Sequence, residues 1–215
     1  MKMDSKLSAK YWDKEARSFD RIYAPDAGVK GVLNRMFRGD MEGRFRFTLL
    51  RATLDSRPDI LEIGCGSGVH TRAFLDSGAS TVTGVDLSPQ MLGIAKERLK
   101  KTPAFNDRVT FIEGDFMSEG FDRTFDVATI IGVFDYISDH GAFLKKALEL
   151  APRVIATFPR EGTLRALIRR VRLYLKGCPV YFYSRSDIDG MAAACGAAVS
   201  EIEVIGQLYC VVFVK

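Results

Sequence analysis

The 215-residue sequence has few cysteines, no long apolar segment and no strong excess of one charge. Its four cysteines, Cys65, Cys178, Cys195 and Cys210, include no closely spaced pair of the kind that a structural zinc site requires. We therefore expect free, buried thiols and no metal. No stretch approaches about 18 uninterrupted apolar residues, and residues 1–10 are polar and basic, so neither a membrane span nor an export signal is expected. These features favour a cytoplasmic protein.

The charge balance and the length limit the remaining classes. Lys and Arg number 31 against 27 Asp and Glu, a net charge of +4 that is too balanced to indicate a nucleic-acid partner by itself. With 47% hydrophobic residues, the chain is long enough for one large core. We expect a single globular domain at residues 51–215, preceded by an N-terminal helical lid or cap at residues 1–50.

The most informative segment is an apolar strand that contains Glu62 and then turns through three alternate glycines, Gly64, Gly66 and Gly68. Glycine tolerates positive φ and has no Cβ, so a ligand can approach such a turn closely. A dinucleotide-binding turn would have its third glycine at Val69, which argues against a nicotinamide or flavin dinucleotide. Taken alone, the segment fits a simple tight turn equally well.

Acidic residues follow the next two predicted strands. The strand at 81–86 ends in Asp86, and the strand at 109–114 is followed by Asp115 and Phe116. Asp86 can accept hydrogen bonds from ribose hydroxyls, while Asp115 beside an aromatic ring suits the amine and the face of adenine. Individually, Asp86 also fits a helix N-terminal cap and Asp115 a solvated turn. Their occurrence at successive strand ends favours a nucleoside-binding site.

Strand and helix patterns alternate along most of the chain. After the first strand, the predicted elements are helices at 69–77, 89–101 and 139–150 and strands at 81–86, 109–114, 125–131 and 153–158. This alternation predicts a parallel sheet covered by helices on both faces. Two β-rich runs, 199–205 and 208–214, are separated by two residues and predict an antiparallel hairpin. The fold class is α/β, a Rossmann-like three-layer sandwich.

Two amphipathic helices are predicted outside this core. Residues 11–23 place four apolar and aromatic residues on one face, which either packs against the sheet or forms a lid over a ligand. Residues 160–176 combine an apolar face with a basic one. That basic face is either solvated or binds an anionic substrate or a membrane surface.

The order Glu-x-Gly-x-Gly-x-Gly, then Asp after the second strand, then Gly-Asp-Phe after the third resembles the class I S-adenosylmethionine-dependent methyltransferases over about residues 58–158. The resemblance implies strand order 3-2-1-4-5-7-6, with S-adenosyl-L-methionine as cofactor and S-adenosyl-L-homocysteine as product. It also implies that Glu62 orients the glycine turn, that residues 64–68 line the methionine part, and that Leu87 and Met91 flank the adenine. The predicted cofactor contacts are Glu62, Gly64, Cys65, Gly66, Gly68, Asp86, Leu87, Met91, Asp115, Phe116 and Ile131.

Candidates for removing a proton from an oxygen acceptor should follow the fourth strand or come from the lid. Asp135, with Tyr136 beside it, His140 and Tyr23 fit these positions, and we take Asp135, Tyr23 and His140 as candidate catalytic residues. His140 fits an ordinary first-turn helix residue equally well.

Several acceptor classes can be weighed from the segment after the fourth strand. It carries no Asn/Asp-Pro-Pro-Tyr/Phe motif, which is expected of enzymes that methylate amide or base nitrogens. Residues 19–23 and 181–188 resemble the magnesium-protoporphyrin O-methyltransferases, although Asp135 stands where those enzymes would place a histidine. We predict methyl transfer to a small molecule, at oxygen or a carboxylate. The alternatives are a nucleic-acid methyltransferase that uses residues 160–176, and a cofactor-binding module without turnover.

Overall fold

The computed structural model describes Asp13, residues 31–162 and residues 180–215, with residues 31–40 described through their backbone. The helices are α1 (Gly31–Ala52), α2 (Val69–Asp76), α3 (Pro89–Lys100), α4 (His140–Leu150) and α5 (Arg185–Ala194). The strands are β1 (Asp59–Ile63), β2 (Thr81–Asp86), β3 (Val109–Glu113), β4 (Val127–Ile130), β5 (Arg153–Pro159), β6 (Ala198–Ile205) and β7 (Leu208–Val214). Short 3₁₀ helices occupy Pro103–Arg108 and Phe134–Tyr136.

The seven strands form one sheet of order β3-β2-β1-β4-β5-β7-β6. Strands β1 to β5 pair in parallel, whereas β7 runs antiparallel to both β5 and β6. Gly206, at φ 55°, and the residue after it make the two-residue connection of the β6–β7 hairpin. The predicted α/β sandwich, its strand order and its terminal hairpin are therefore confirmed.

Alternate strand residues supply two apolar layers, one on each face of the sheet. In β1, Ile60 belongs to the cluster that contains Phe47 of α1 and Phe74 of α2, while Leu61 belongs to the cluster that contains Phe143 of α4. Burial of both faces explains why the parallel strands read as continuous apolar runs. The resulting three layers hold the carboxyl ends of β1 to β4 along one edge.

Local capping fixes where the helices near that edge begin. Pro89 occupies the first turn of α3, and the Ser88 hydroxyl accepts a hydrogen bond from the Met91 N–H at 3.1 Å. The Asp139 carboxylate accepts one from the Ala142 N–H at 3.2 Å at the start of α4. Such caps satisfy N–H groups that have no partner within the helix.

Several element boundaries differ from the sequence predictions. Strand β4 is shorter than predicted, because the Phe125 N–H bonds to the Leu150 carbonyl at 2.8 Å rather than to a neighbouring strand. The predicted domain division between residues 50 and 51 falls inside α1. The basic helix was predicted to begin at Arg160, but Arg160 instead forms an isolated β-bridge with Tyr183. Gly162 has a φ of 75°, which is not helical either.

Two predicted helices lie largely outside the described residues. These are the rest of the predicted basic helix at 160–176 and the predicted helix at 11–23, of which only Asp13, a helical residue, is described.

Among the described cysteines, Cys65 and Cys210 are buried and Cys195 is half-buried, and all three are free thiols. Within the described ranges, no group of three or more His, Cys, Asp or Glu side chains could hold a metal ion, and no helix has the length and apolar character to cross a bilayer.

The outer strand β6 carries two glutamates that lie close to an arginine of α1. The Arg51 Nε of α1 donates to the Glu201 carboxylate at 3.1 Å, and its guanidinium lies 3.8 Å from the Glu203 carboxylate. The pairing of β6 with β7 shifts register between Val199 and Glu201. This irregularity and the two glutamates mark the exposed margin of the sheet.

Candidate functional site

A cleft opens at the carboxyl ends of β1 to β4. The residues that line it come from the last positions of β1 and β2, from the segments after β1 to β4, from the start of α3 and from α4: Ile63, Gly64, Gly66, Val85, Asp86, Leu87, Met91, Gly114, Asp115, Phe116, Ile131, Gly132, Val133, Tyr136, Ile137 and Phe143. In open α/β sheets, ligands bind in the crevice at this edge. Eight of the eleven predicted cofactor contacts lie here.

The glycine turn after β1 brings bare backbone to the cleft. Gly64 and Gly66 have φ of 74° and 52°, in the left-handed region that favours glycine. No atom lies within 4 Å of the position that a Cβ of Gly66 would take, whereas the Val133 side chain occupies the corresponding position at Gly64. A ligand can therefore approach the Gly66 backbone directly, as a nucleoside cofactor with an amino-acid tail requires.

Hydrogen bonds hold this turn against β2. The N–H groups of Gly64 and Cys65 both donate to the Val85 carbonyl, at 2.8 Å and 3.1 Å. The Asp86 carboxylate accepts from the Gly66 N–H at 2.7 Å and from the Ser88 N–H at 2.9 Å. These hydrogen bonds join the carboxyl ends of β1 and β2 beside the cleft.

Asp86 retains capacity for a ligand. A carboxylate has about four acceptor positions, and the bonds from Gly66 and Ser88 use two of them. Burial raises the pKa of Asp86, the N–H donors of Ser88 and Gly66 oppose that shift, and the charge of Asp13 adds to it. Ribose hydroxyls bound to the remaining positions would stabilise the ionised form.

Asp13 connects the N-terminal segment to the loop after β2. The Ser88 hydroxyl donates a hydrogen bond to the Asp13 carboxylate. Ser88 is fully buried and also caps α3. At least one residue that precedes α1 therefore reaches the loop that carries Asp86.

Much of the remaining cleft lining is apolar. Leu87, Met91, Phe116 and Ile131 all line the cleft, and the first three are the residues predicted to lie around the adenine ring. Asp115 lies beside Phe116, and one of its carboxylate oxygens accepts the Met117 N–H at 3.0 Å. This turn orients the carboxylate and leaves other acceptor positions for an exocyclic amine.

Three predicted cofactor contacts do not line the cleft. Cys65 is 5% exposed and packs on β2, where its Sγ lies 2.9 Å from the position of a Cβ on Gly84. Gly68 begins α2 at φ 71° and faces Ala95 of α3. Both residues shape the turn without facing the ligand space.

Glu62 is the third of these residues and lies buried in β1. It is 3% exposed and accepts a hydrogen bond from the Thr71 hydroxyl of α2. Burial raises its pKa to about 8, the Thr71 hydroxyl opposes the shift, and the charge of Asp86 adds to it. Glu62 therefore connects β1 to α2 behind the glycine turn.

The candidate catalytic residues are not brought together at the cleft. Asp135, 5% exposed, does not line the cleft, and its backbone carbonyl accepts a hydrogen bond from the Tyr181 N–H at 2.9 Å. The His140 ring meets the edge of the buried Tyr183 ring at a centroid distance of 5.5 Å. Tyr136, the neighbour of Asp135, lines the cleft instead. Tyr23 lies outside the described residues.

Some residues near the cleft were missed by the sequence analysis. Val133, Ile137 and Phe143 line it from the segment after β4 and from α4, and no motif spacing signals them. Arg44 of α1 lies with its Nη1 3.5 Å from the position that a Cβ of Gly132 would take. A guanidinium beside the tip of β4 suits an anionic group on a ligand.

The charge of Arg44 also acts on its neighbour His70. Burial and, to a smaller extent, the charge of Arg44 together lower the pKa of His70 to about 3. His70 is 8% exposed and its ring lies 5.0 Å from that of Phe45. We expect a neutral imidazole that packs α1 against α2.

Comparisons with known proteins assign the chain to a family. A family model described as a methyltransferase domain matches residues 60–154. The demethylmenaquinone methyltransferase of Thermotoga maritima is 31% identical over 167 residues, which cover 74% of this chain and 68% of that protein. The magnesium-protoporphyrin O-methyltransferase of Rhodobacter capsulatus is 31% identical over 134 residues, covering 59% of this chain and 51% of that protein.

A solved structure agrees in fold. The crystal structure of magnesium protoporphyrin IX methyltransferase from Synechocystis PCC 6803 with bound SAH has a TM-score of 0.80 at 18% identity, and the match covers 99% of this chain and 100% of that one. The chain belongs to the S-adenosylmethionine-dependent methyltransferase family. A magnesium-protoporphyrin O-methyltransferase is thus among its relatives, and the solved structure shares its fold.

Coverage of the curated relatives is partial. The ubiquinone biosynthesis O-methyltransferase of Schizosaccharomyces pombe is 36% identical over 90 residues, which make up 32% of that protein. Two further relatives are matched over 34% and 59% of their lengths. The chain thus spans between about a third and three fifths of the first relatives it matches.

Proposed function

We propose that the protein transfers a methyl group from S-adenosylmethionine to a hydroxyl or carboxylate oxygen of a small molecule. One observation carries the proposal: the tips of β1, β2 and β3 present Gly66, Asp86 and the Asp115–Phe116 pair to a single cleft. These groups match, in order, an amino-acid tail, a ribose and an adenine. Membership of the methyltransferase family agrees with this assignment.

The residues of the chain would bind and orient both reactants. A sulfonium supplies an already activated methyl group, so the protein's main task is to align the acceptor atom with it and to exclude water. The half-buried Asp86 and the apolar side chains of Leu87, Met91 and Ile131 would hold the nucleoside. The acceptor would then approach from the side of Gly132, Val133 and Tyr136.

The choice of an oxygen acceptor is supported by relatives and by the sequence. Matched relatives are named as O-methyltransferases of ubiquinone biosynthesis and of magnesium protoporphyrin. The segment after β4 reads Ile131-Gly132-Val133-Phe134, without the motif expected of nitrogen methylation. A small acceptor agrees with a described region that forms one sheet and its covering helices.

The first experiment is calorimetry of the purified chain with S-adenosylhomocysteine. We expect binding that Asp86→Ala weakens strongly and that Asp122→Ala leaves unchanged, because Asp122 is exposed and lies outside the cleft. Absence of binding to the wild-type protein would refute the proposal.

The second experiment follows transfer of a radioactive methyl group to a panel of phenols, hydroquinones and carboxylic acids, with RNA as a contrasting acceptor. We expect transfer to a member of the small-molecule panel. Transfer to RNA with a steep salt dependence would favour the nucleic-acid alternative. Binding of S-adenosylhomocysteine with no transfer to any acceptor would favour a module without turnover.

A further inference from the structure

The loop after β3 carries Asp115 and Phe116, the two residues that face the adenine end of the cleft. It has few backbone partners in the sheet. The Gly114 N–H donates to the Asp86 carbonyl at 3.0 Å, and the Ser118 and Glu119 N–H groups turn back to the Asp115 carbonyl at 2.8 Å and 3.0 Å. The shape of the loop therefore depends on contacts made to its outward-facing carbonyls.

One side chain donates hydrogen bonds to three of those carbonyls. The ammonium of Lys146, in α4, donates to the Phe116 carbonyl at 2.6 Å, to the Met117 carbonyl at 3.1 Å and to the Glu119 carbonyl at 2.7 Å. A lysine ammonium has three donors, so all three are used within this loop.

The same ammonium also lies over an aromatic ring that faces the cleft. Its Nζ is 4.9 Å from the centroid of the Phe116 ring, within the range of a cation–π contact. The Phe143 ring, three residues before Lys146 on α4, lies 5.0 Å from the Phe116 ring. Phe116 is thus held between two side chains of one helical face.

From this geometry we propose that Lys146 is a positioning residue that fixes the 115–119 loop so that the site discriminates adenine from purines without the exocyclic amine. Lys146 does not line the cleft, and it acts through Asp115 and Phe116. Without its ammonium, three carbonyls lose their common donor and the Asp115 carboxylate loses its fixed distance to the purine edge. The inference rests on the proposed function, because it presumes that an adenosyl group binds here.

The test compares two ligands on the 215-residue chain by calorimetry. S-adenosylhomocysteine carries the 6-amino group, whereas S-inosylhomocysteine carries an oxygen in its place. For the wild-type protein we expect a preference of about tenfold or more for the adenosyl compound, the factor that one hydrogen bond to a charged group contributes. For Lys146→Met we expect this ratio to fall to about threefold or less, with weaker binding of the adenosyl compound.

Matched variants separate positioning from general stability. Lys145→Met alters the exposed neighbour on the same helix, and we expect it to retain the wild-type ratio. If Lys146→Met does not fold, Lys146→Gln keeps a polar side chain with two donors, and we expect it to lower the ratio several-fold. A wild-type ratio in either folded Lys146 variant would overturn the inference, even if its melting temperature falls.

The outcomes also distinguish the inference from the proposed function. If the wild-type protein binds neither compound, the proposed function fails. If it binds both equally well, the cofactor site stands and the assignment of adenine discrimination to this loop is overturned.

Discussion

Replacement of Glu62 by glutamine should change how the stability of this protein depends on pH. Glu62 lies in the middle of the sheet with 3% of its surface exposed. Burial is the largest cause that raises its pKa from 4.5 to about 8. Between these two values, the folded chain keeps a proton that the unfolded chain releases. The free energy of unfolding therefore falls as the pH rises through this window, and the penalty is absent below it.

The magnitude follows from proton linkage. Each pH unit inside the window removes about 1.4 kcal/mol from the free energy of unfolding. Between pH 5.5 and pH 7.5, the wild-type protein should lose roughly 2.5 kcal/mol relative to Glu62→Gln, which has no ionisable group at this position. A constant cost of burying the glutamine amide cancels, because only the change with pH is compared.

Urea unfolding, followed by circular dichroism at pH 5.5, 6.5 and 7.5, would measure this difference. Glu149→Gln is the matched control, since Glu149 is exposed on α4 and should follow the wild-type curve. An equal gap between wild type and Glu62→Gln at all three pH values would show that the buried carboxyl does not hold its proton, and the reasoning from burial would fail.

Three further predictions concern the cleft. Asp86→Ala should weaken S-adenosylhomocysteine binding about a hundredfold, because two ribose hydroxyls would lose a charged acceptor. Asp135→Ala should leave that binding nearly intact. Equal losses of affinity in calorimetry would contradict the assignment of Asp86, and not Asp135, to the cofactor. Gly64→Ala should lower the free energy of unfolding by about 1–3 kcal/mol in urea titrations, because the residue has positive φ and its Cβ would meet Val133; a neutral result would contradict it. Arg44→Met should weaken S-adenosylhomocysteine binding about tenfold but leave 5′-methylthioadenosine binding unchanged, since that ligand lacks the carboxylate; equal loss for both ligands would refute an anionic subsite.

The fold could be predicted because its signals are local. Each of the strands β1 to β4 is a short run that ends at glycine or aspartate or is followed by one within two residues. The two-residue link at Gly206 permits only an antiparallel pair. The positions of Asp86 and Asp115 at the cleft follow from the same regularity, since parallel strands end at one edge. Strand ends were less predictable, because backbone bonds such as that from Phe125 to Leu150 involve distant partners.

The direction of individual side chains could not be predicted from the motif. Gly68 and Cys65 belong to the glycine turn, yet one packs against Ala95 and the other against Gly84. Asp135 follows the fourth strand as expected, but it is buried outside the cleft lining, whereas its neighbour Tyr136 lines the cleft. Lys146 gives no sequence signal at all, since its role depends on three carbonyls nearly thirty positions earlier.

The edge strand β6 affects how readily the protein aggregates in concentrated solution. An outer strand offers a row of unpaired amide and carbonyl groups, onto which another chain can add a strand and begin aggregation. Here the register shift near Glu201 interrupts that row, and Glu201 and Glu203, paired with Arg51, place charged side chains on the strand that a second β6 would have to desolvate. The hairpin that completes the sheet therefore also limits its growth into fibres.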